Sequence, residues 1–152
     1  MHVEDKNSFL TFVFVTPITL ISDFGPDSLY VGMLKGSILR RMPEAKVVDL
    51  THSLRKFDPV HAAFALRASV PSFPKGTVHI VALNSVESPD HPHRIVQWQD
   101  QYFVGADTGV FQLMCGRTPD AVFDLSSVQP DGDDPTFPER SLFVPAATHL
   151  AK

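Results

Sequence analysis

The chain has a single cysteine, Cys115. No internal disulfide can form, which fits a reducing, cytoplasmic setting. The apolar stretch Phe9 to Val15 falls far short of the roughly 20 residues a membrane-spanning helix needs. With no basic leader before it and no small-residue cleavage site after it, a signal peptide is not expected either. The 13 Lys and Arg are scattered, with one short pair at Arg40 and Arg41, and the net charge is -4. This excludes a broad nucleic-acid surface. Glycine-rich phosphate cradles of the GxGxxG or P-loop type are missing, as are internal repeats and low-complexity tracts.

What remains is 152 residues, 43% of them hydrophobic, enough for one domain with a real core or for part of a larger protein. "PITLISDFG" reads as a buried strand from Ile18 to Ile21 that ends in a polar turn. In "SLYVGMLKGSILRRMP" the apolar Leu29, Met33, Leu34, Ile38 and Leu39 recur at helical spacing, with Arg40 and Arg41 in the last turn. A second strand is expected from Lys46 to Leu50. A second helix follows, with Asp58 as N-cap, Pro59 at the first position and Pro71 as its stop. "GTVHIVAL" is a third strand, and "HRIVQWQ" and "QYFVGAD" pair through a turn at Asp100. "TGVFQLMCG" is a short helix ending at Gly116, and "AVFDLSS" is a further strand. "VQPDGDDPTFPERS" is a loop too polar to pack, and "SLFVPAATHLAK" begins a last helix. The alternation predicts an α/β fold with a mostly parallel central sheet flanked by helices. Residues 1–17 are read as an extension or extra strand, and residues 18–152 as the domain.

In such sheets ligands bind beyond the carboxyl ends of the strands. That selects "SDFG", "DLTHS", "NSVES" and "ADTG". Asp23 can accept two hydrogen bonds from a vicinal diol such as that of a ribose, or it can cap the helix that follows. Gly25 allows a sharp turn. His52 suits acid–base work beside Asp49, or a hydrogen bond to a neighbouring loop; no second metal ligand stands at the right spacing. Phe57 is an aromatic wall or simply core. The loop after the third strand opens on Asn84 and holds Glu87, Asp90, His91, His93 and Arg94. Its His-Pro-His is read as solvated rather than metal-binding. "GADTG" places Asp107 and Gly109 at the end of another strand, or it starts a helix with Asp107 or Thr108 as the cap.

Several blocks, in unbroken order, carry a resemblance. "ISDFGPDSLYVGMLKGSIL", "VVDLTHSLRKFDPVHAAFAL", "FPKGTVHIVAL", "YFVGADTGVF" and "TFPERSLFVPAATHLA" resemble the S-adenosylmethionine hydroxide adenosyltransferases, whose relatives include the fluorinase and chlorinase. The resemblance implies cleavage of S-adenosylmethionine at the ribose C5′, by water or in the relatives by a halide, with methionine leaving. S-adenosylmethionine would be the substrate, with no cofactor and no metal. It further implies a homotrimer and a second, smaller β domain, which would begin where this chain stops, so the chain is expected to be truncated. Asp23 matches the family's ribose-holding Asp, and Phe57 and Phe137 match its aromatic wall.

The departures concern the water. The family's water-activating Asp opens an Asp-Pro-Gly-Val-Gly block, and Asn84 stands in its place. The His of its Phe-His-Gly-Arg-Asp block is replaced by Pro138, while the Arg is matched by Arg94 across a rebuilt loop. An amide takes up no proton at neutral pH, and proline has no side-chain donor or acceptor. Ser28 stands where the family often has Asp, and Thr108 where it has Asn. On this reading Asn84 faces the nucleophile, Glu139 lies at the substrate, and Glu87 or Glu139 is a substitute base. Two other functions stay open. One is a non-catalytic nucleoside-binding or assembly protein on the same scaffold. The other is halide use, disfavoured because the halide enzymes' Tyr at position 84 and Ser at position 139 are absent.

Overall fold

The computed structural model describes residues 15–132 and 136–152. The reading of an extension or extra strand at 1–17 therefore lies mostly outside the described residues; Val15, Thr16 and Pro17 form no regular element. Six strands form one sheet: β1 (Ile18–Ser22), β2 (Val47–Thr51), β3 (Val78–Ala82), β4 (His93–Trp98), β5 (Gln101–Ala106) and β6 (Ala121–Asp124). Their spatial order is β2-β1-β3-β5-β4-β6. β1 pairs in parallel with β2 and β3, and β3 with β5. β4 alone runs the other way, antiparallel to β5 and β6. The expected mostly parallel sheet is present.

Strand alternation sends side chains to two cores. Ile18, Leu20, Val78, Ile80 and Val104 meet α1 (Leu29–Arg41) and α4 (Val144–Ala151) on one face. Ile21, Val81, Val96 and Phe103 meet α2 (Pro59–Ser69) and α3 (Val110–Cys115) on the other. β1 and β3 are buried along their whole length, as a parallel sheet covered on both sides requires. Gly105 in β5 is there for close approach: a Cβ at that point would stand 2.7 Å from the Val81 carbonyl. The β4–β5 turn places Gln99 and Asp100 both at positive φ, 51° and 59°, the twist a two-residue hairpin turn needs.

Local signals were mostly sound. Asp58 accepts from the Val60 and His61 N–H groups at 3.0 Å, and Pro59 opens α2. Gly116 ends α3 in the left-handed region. On α1 the buried face is Val31, Leu34 and Ile38, whereas Leu29 and Leu39 are exposed. The largest difference is at the C-terminal end. The expected polar loop through Ser141 does not stay unpacked: a wide π turn, Glu139–Phe143, leads directly into α4. Phe137 and Glu139 are both buried. Packing against Phe24 and Tyr30 pulls this segment onto the domain, a tertiary effect that local composition does not encode.

A buried polar network braces the amino-terminal end of the strands. Gln101 donates its amide hydrogens to the Val70 and Phe73 carbonyls, at 2.9 and 3.2 Å. Its oxygen therefore accepts from His79 Nε2, at 2.6 Å. His79 Nδ1 is left to accept the Thr19 hydroxyl, also at 2.6 Å. Burial pushes the His79 pKa down to about 4, so the ring is neutral and stacks on Phe103.

Candidate functional site

The carboxyl ends of β1, β2 and β3 converge on one edge of the sheet, and the site grows from the loops there. Gly25 takes φ 96° in the turn after β1, and its N–H donates to the His52 carbonyl at 2.8 Å. Asp23 lies in that turn, half-buried. The α1 cap is Ser28, whose hydroxyl accepts from the Tyr30 N–H at 3.2 Å. The capping alternative for Asp23 is thereby removed. Its carboxylate instead accepts from the Phe57 N–H, at 3.2 Å.

Behind Asp23 stands a line of polar groups. The Ser22 hydroxyl meets His52 Nδ1 at 2.6 Å, and His52 Nε2 meets Asp49 at 2.8 Å. Lys35 on α1 pairs with the other Asp49 oxygen. Burial works against the charge on Asp49, but Lys35 and His52 hold its carboxyl below the usual range. Ser22 and His52 are buried, so this line fixes the ends of β1 and β2 against each other. The His52 ring thus meets both the Asp49 carboxylate and the end of β1, rather than a neighbouring loop.

Phe57 is 67% exposed, so it is not core. Phe57 and Asn84 are both non-glycine residues at positive φ, 57° and 47°. Asn tolerates that region and Phe does so at a cost, a type of strain that gathers at functional loops. Asn84 is half-buried at the end of β3. Arg94 lies on β4 and pairs with Asp124 on β6 at 2.7 Å.

Phe24, Tyr30, Met33, Thr136, Phe137, Glu139 and Arg140 line a pocket of about 370 Å³. Phe137 is met edge-on by Tyr30 at 5.2 Å and by Phe24 at 6.4 Å, and the Arg140 guanidinium lies 5.2 Å over its ring. Burial pushes the Glu139 carboxyl up; the charge of Asp23 adds to the shift, while Ser85 and His93 oppose it. Asp23 and Glu139 therefore share one electrostatic environment.

The structure thus brings Asp23, Phe137 and Glu139 together, with Phe57 joined to Asp23 and Asn84 opening the adjacent loop. Arg94 has its own partner toward the sheet's edge. Phe24 and Tyr30, which line the pocket, and Ser85 and His93, which act on Glu139, carry no signal in the sequence that marks them as site groups. Tyr30 is the second residue of α1, packed against Phe137, and only the fold brings those two together. Among the described residues no group of three or more His, Cys, Asp or Glu is placed to hold a metal ion. No helix among them is long and apolar enough to cross a membrane.

Comparison with known proteins bears on the family and the fold. The model of the SAM hydroxide adenosyltransferase N-terminal domain matches residues 18–152. The (R)-S-adenosyl-L-methionine hydrolase of Thermus thermophilus is 32% identical over 146 residues, 89% of this chain and 56% of that protein. That of Methanocaldococcus jannaschii is 32% identical over 105 residues, 66% of this chain and 40% of that protein. A crystal structure of an uncharacterized conserved protein from Thermotoga maritima superposes with a TM-score of 0.76 at 30% identity. It covers 88% of this chain and 53% of its own. A crystal structure of a conserved hypothetical protein from Thermus thermophilus gives 0.68 at 29% identity, over 90% of this chain and 53% of its own. The chain spans about half the length of the relatives it matches. By this match and by its sheet and helices, the chain belongs to the SAM hydroxide adenosyltransferase family, within its N-terminal domain.

Proposed function

We propose that this chain contributes to cleavage of S-adenosylmethionine at the ribose C5′ by water, giving adenosine and L-methionine. The observation that carries the reading is Asp23: a half-buried carboxylate at the carboxyl end of a central strand, not used to cap α1, beside an aromatic pocket. A carboxylate so placed suits two hydroxyls of a ribose. Phe57 and Phe137 wall the sugar and adenine side, Asn84 faces the nucleophile, and Glu139 closes the pocket floor. Arg94 stands at the same end of the sheet, held there by Asp124.

The chemistry asks little of an acid. The leaving sulfur is a sulfonium, and it departs as a neutral thioether. The protein's task is to align oxygen, carbon and sulfur and to strip bulk water from the nucleophile. A homotrimer is proposed as the working assembly, with the exposed Phe57, Val60 and Phe64 as apolar surface available to a neighbouring copy. Incubation of the purified chain with S-adenosylmethionine, followed by chromatography for adenosine and methionine in equal amounts, tests the reading.

A second reading has its own support. Asn84 and Pro138 stand where the family carries its water-activating Asp and His. A protein that binds S-adenosylmethionine or adenosine without turnover would show saturable binding in calorimetry and no adenosine above the uncatalysed background.

A further inference from the structure

We propose that Glu139, Ser85 and His93 form a rebuilt water-handling cluster, in which Glu139 takes the proton of the attacking water while Ser85 and His93 orient it. This rests on the cleavage reading above. The three residues come from distant parts of the chain: the loop after β3, the first residue of β4 and the π turn before α4. All are deeply buried, with Glu139 and Ser85 each 6% exposed and His93 4%.

The hydrogen-bond pattern fixes the imidazole. His93 Nε2 lies 2.7 Å from the Ser85 carbonyl oxygen. A carbonyl only accepts, so Nε2 carries the hydrogen and Nδ1 of the neutral ring is a bare acceptor. The ring stands edge-on to the buried Phe143 at 4.9 Å, which holds it against rotation. His93 Nδ1 is buried without a hydrogen-bond partner among the described residues, and the Ser85 hydroxyl is directed at the Glu139 carboxyl. An unpaired group of this kind costs roughly 1–3 kcal/mol, and folds rarely keep one without a use. Here the bare His93 Nδ1 occurs together with Ser85 beside Glu139, a buried carboxyl that lines the aromatic pocket.

The family's Asp and His positions hold Asn84 and Pro138, neither of which takes up a proton. Of the charged groups lining the pocket, Arg140 is a cation, and the neighbouring Asp23 is assigned, on the reading above, to the ribose. Glu139 is the carboxylate that remains. In the step, the water oxygen bonds to C5′, the C5′–S bond breaks, and its electron pair returns to sulfur as methionine leaves. One water proton passes to the Glu139 carboxylate and then to solvent. Ser85 and the Nδ1 lone pair of His93 hold the oxygen and the second hydrogen in line. Burial, which raises the Glu139 pKa, makes it a stronger base once ionised. His93 is a positioning residue, acting through Ser85 and the water.

The test is adenosine formation from pH 4 to 9 by wild type, Glu139→Gln and Ser85→Ala, with adenosine binding measured beside it. Glu139→Gln is expected to lower kcat by roughly 100-fold or more, to keep adenosine affinity within about threefold, and to abolish the acid limb. Ser85→Ala is expected to keep the limb but move it to higher pH, because a group that lowers the Glu139 pKa is removed. That shift reads out the cluster even where Glu139→Gln folds poorly. A wild type that forms adenosine while Glu139→Gln retains its rate and limb, or while Ser85→Ala leaves the limb in place, overturns the cluster alone. A wild type that forms none overturns the cleavage reading with it.

Discussion

The Asp23 carboxylate accepts the backbone N–H of Phe57 at 3.2 Å, tying the turn after β1 to the loop that precedes α2. One side chain thereby ties together two loops at the carboxyl edge of the sheet. The bond is exposed and contributes little stability, so the carboxylate is available for ligand recognition.

Replacing Asp23 with Ala should weaken adenosine binding by roughly 1.5–3 kcal/mol, the range for a hydrogen bond to a charged group. Folding stability should change by less than about 1 kcal/mol, because Ser28, not Asp23, caps α1. Calorimetry with adenosine and urea denaturation of the same variant separate the two effects. A large loss of stability with unchanged affinity in the folded fraction would show a purely structural carboxylate.

His52→Ala removes both partners' contacts in the Ser22–His52–Asp49 line. The buried Ser22 hydroxyl loses its partner, and a cost of roughly 1–3 kcal/mol is expected in urea denaturation. Because Ser22 precedes Asp23, adenosine affinity should fall as well. Asp49→Asn should cost less, since Asp49 is more exposed than His52.

Stability should decline as pH falls from about 6.5 toward 4. The unfolded chain binds a proton at position 79 near the ordinary histidine value of 6.5, whereas the folded chain resists until about 4. Across that window the unfolded state holds more protons, so acid favours it, by about 3 kcal/mol over the full span. Glu139 acts in the opposite direction. Its raised pKa contributes stability below the ordinary carboxylate value that is lost as pH rises through the folded one. Thermal unfolding against pH should therefore show a flatter acid slope in His79→Gln. Glu139→Gln should gain stability relative to wild type at neutral pH, with the gain vanishing near pH 4.

Elements carried by local chemistry were legible in the sequence. Asp58 and Pro59 announce the start of α2, Gly116 ends α3, and the apolar β1 and β3 read as buried strands. Contacts between distant segments were not. The His79–Gln101 bond crosses 22 residues, and Ser22 reaches His52 across 30. The Pro- and Asp-rich stretch before α4 reads as too polar to pack, yet Phe137 and Glu139 are buried, Phe137 against Tyr30 of α1 and Phe24 of the turn before it. The resemblance pointed to Asp23, Phe57, Asn84 and Phe137 as candidates. The pairing of Ser85 with His93 follows from β4 running back beside β5, which no single segment reveals.

The most direct measurement is product analysis after mixing the purified chain with S-adenosylmethionine. Adenosine and methionine should accumulate in a one-to-one ratio, with oxygen from labelled water incorporated at C5′ of the adenosine. Tight binding of S-adenosylmethionine with no adenosine above the spontaneous rate would contradict catalysis and leave a nucleoside-binding protein in its place.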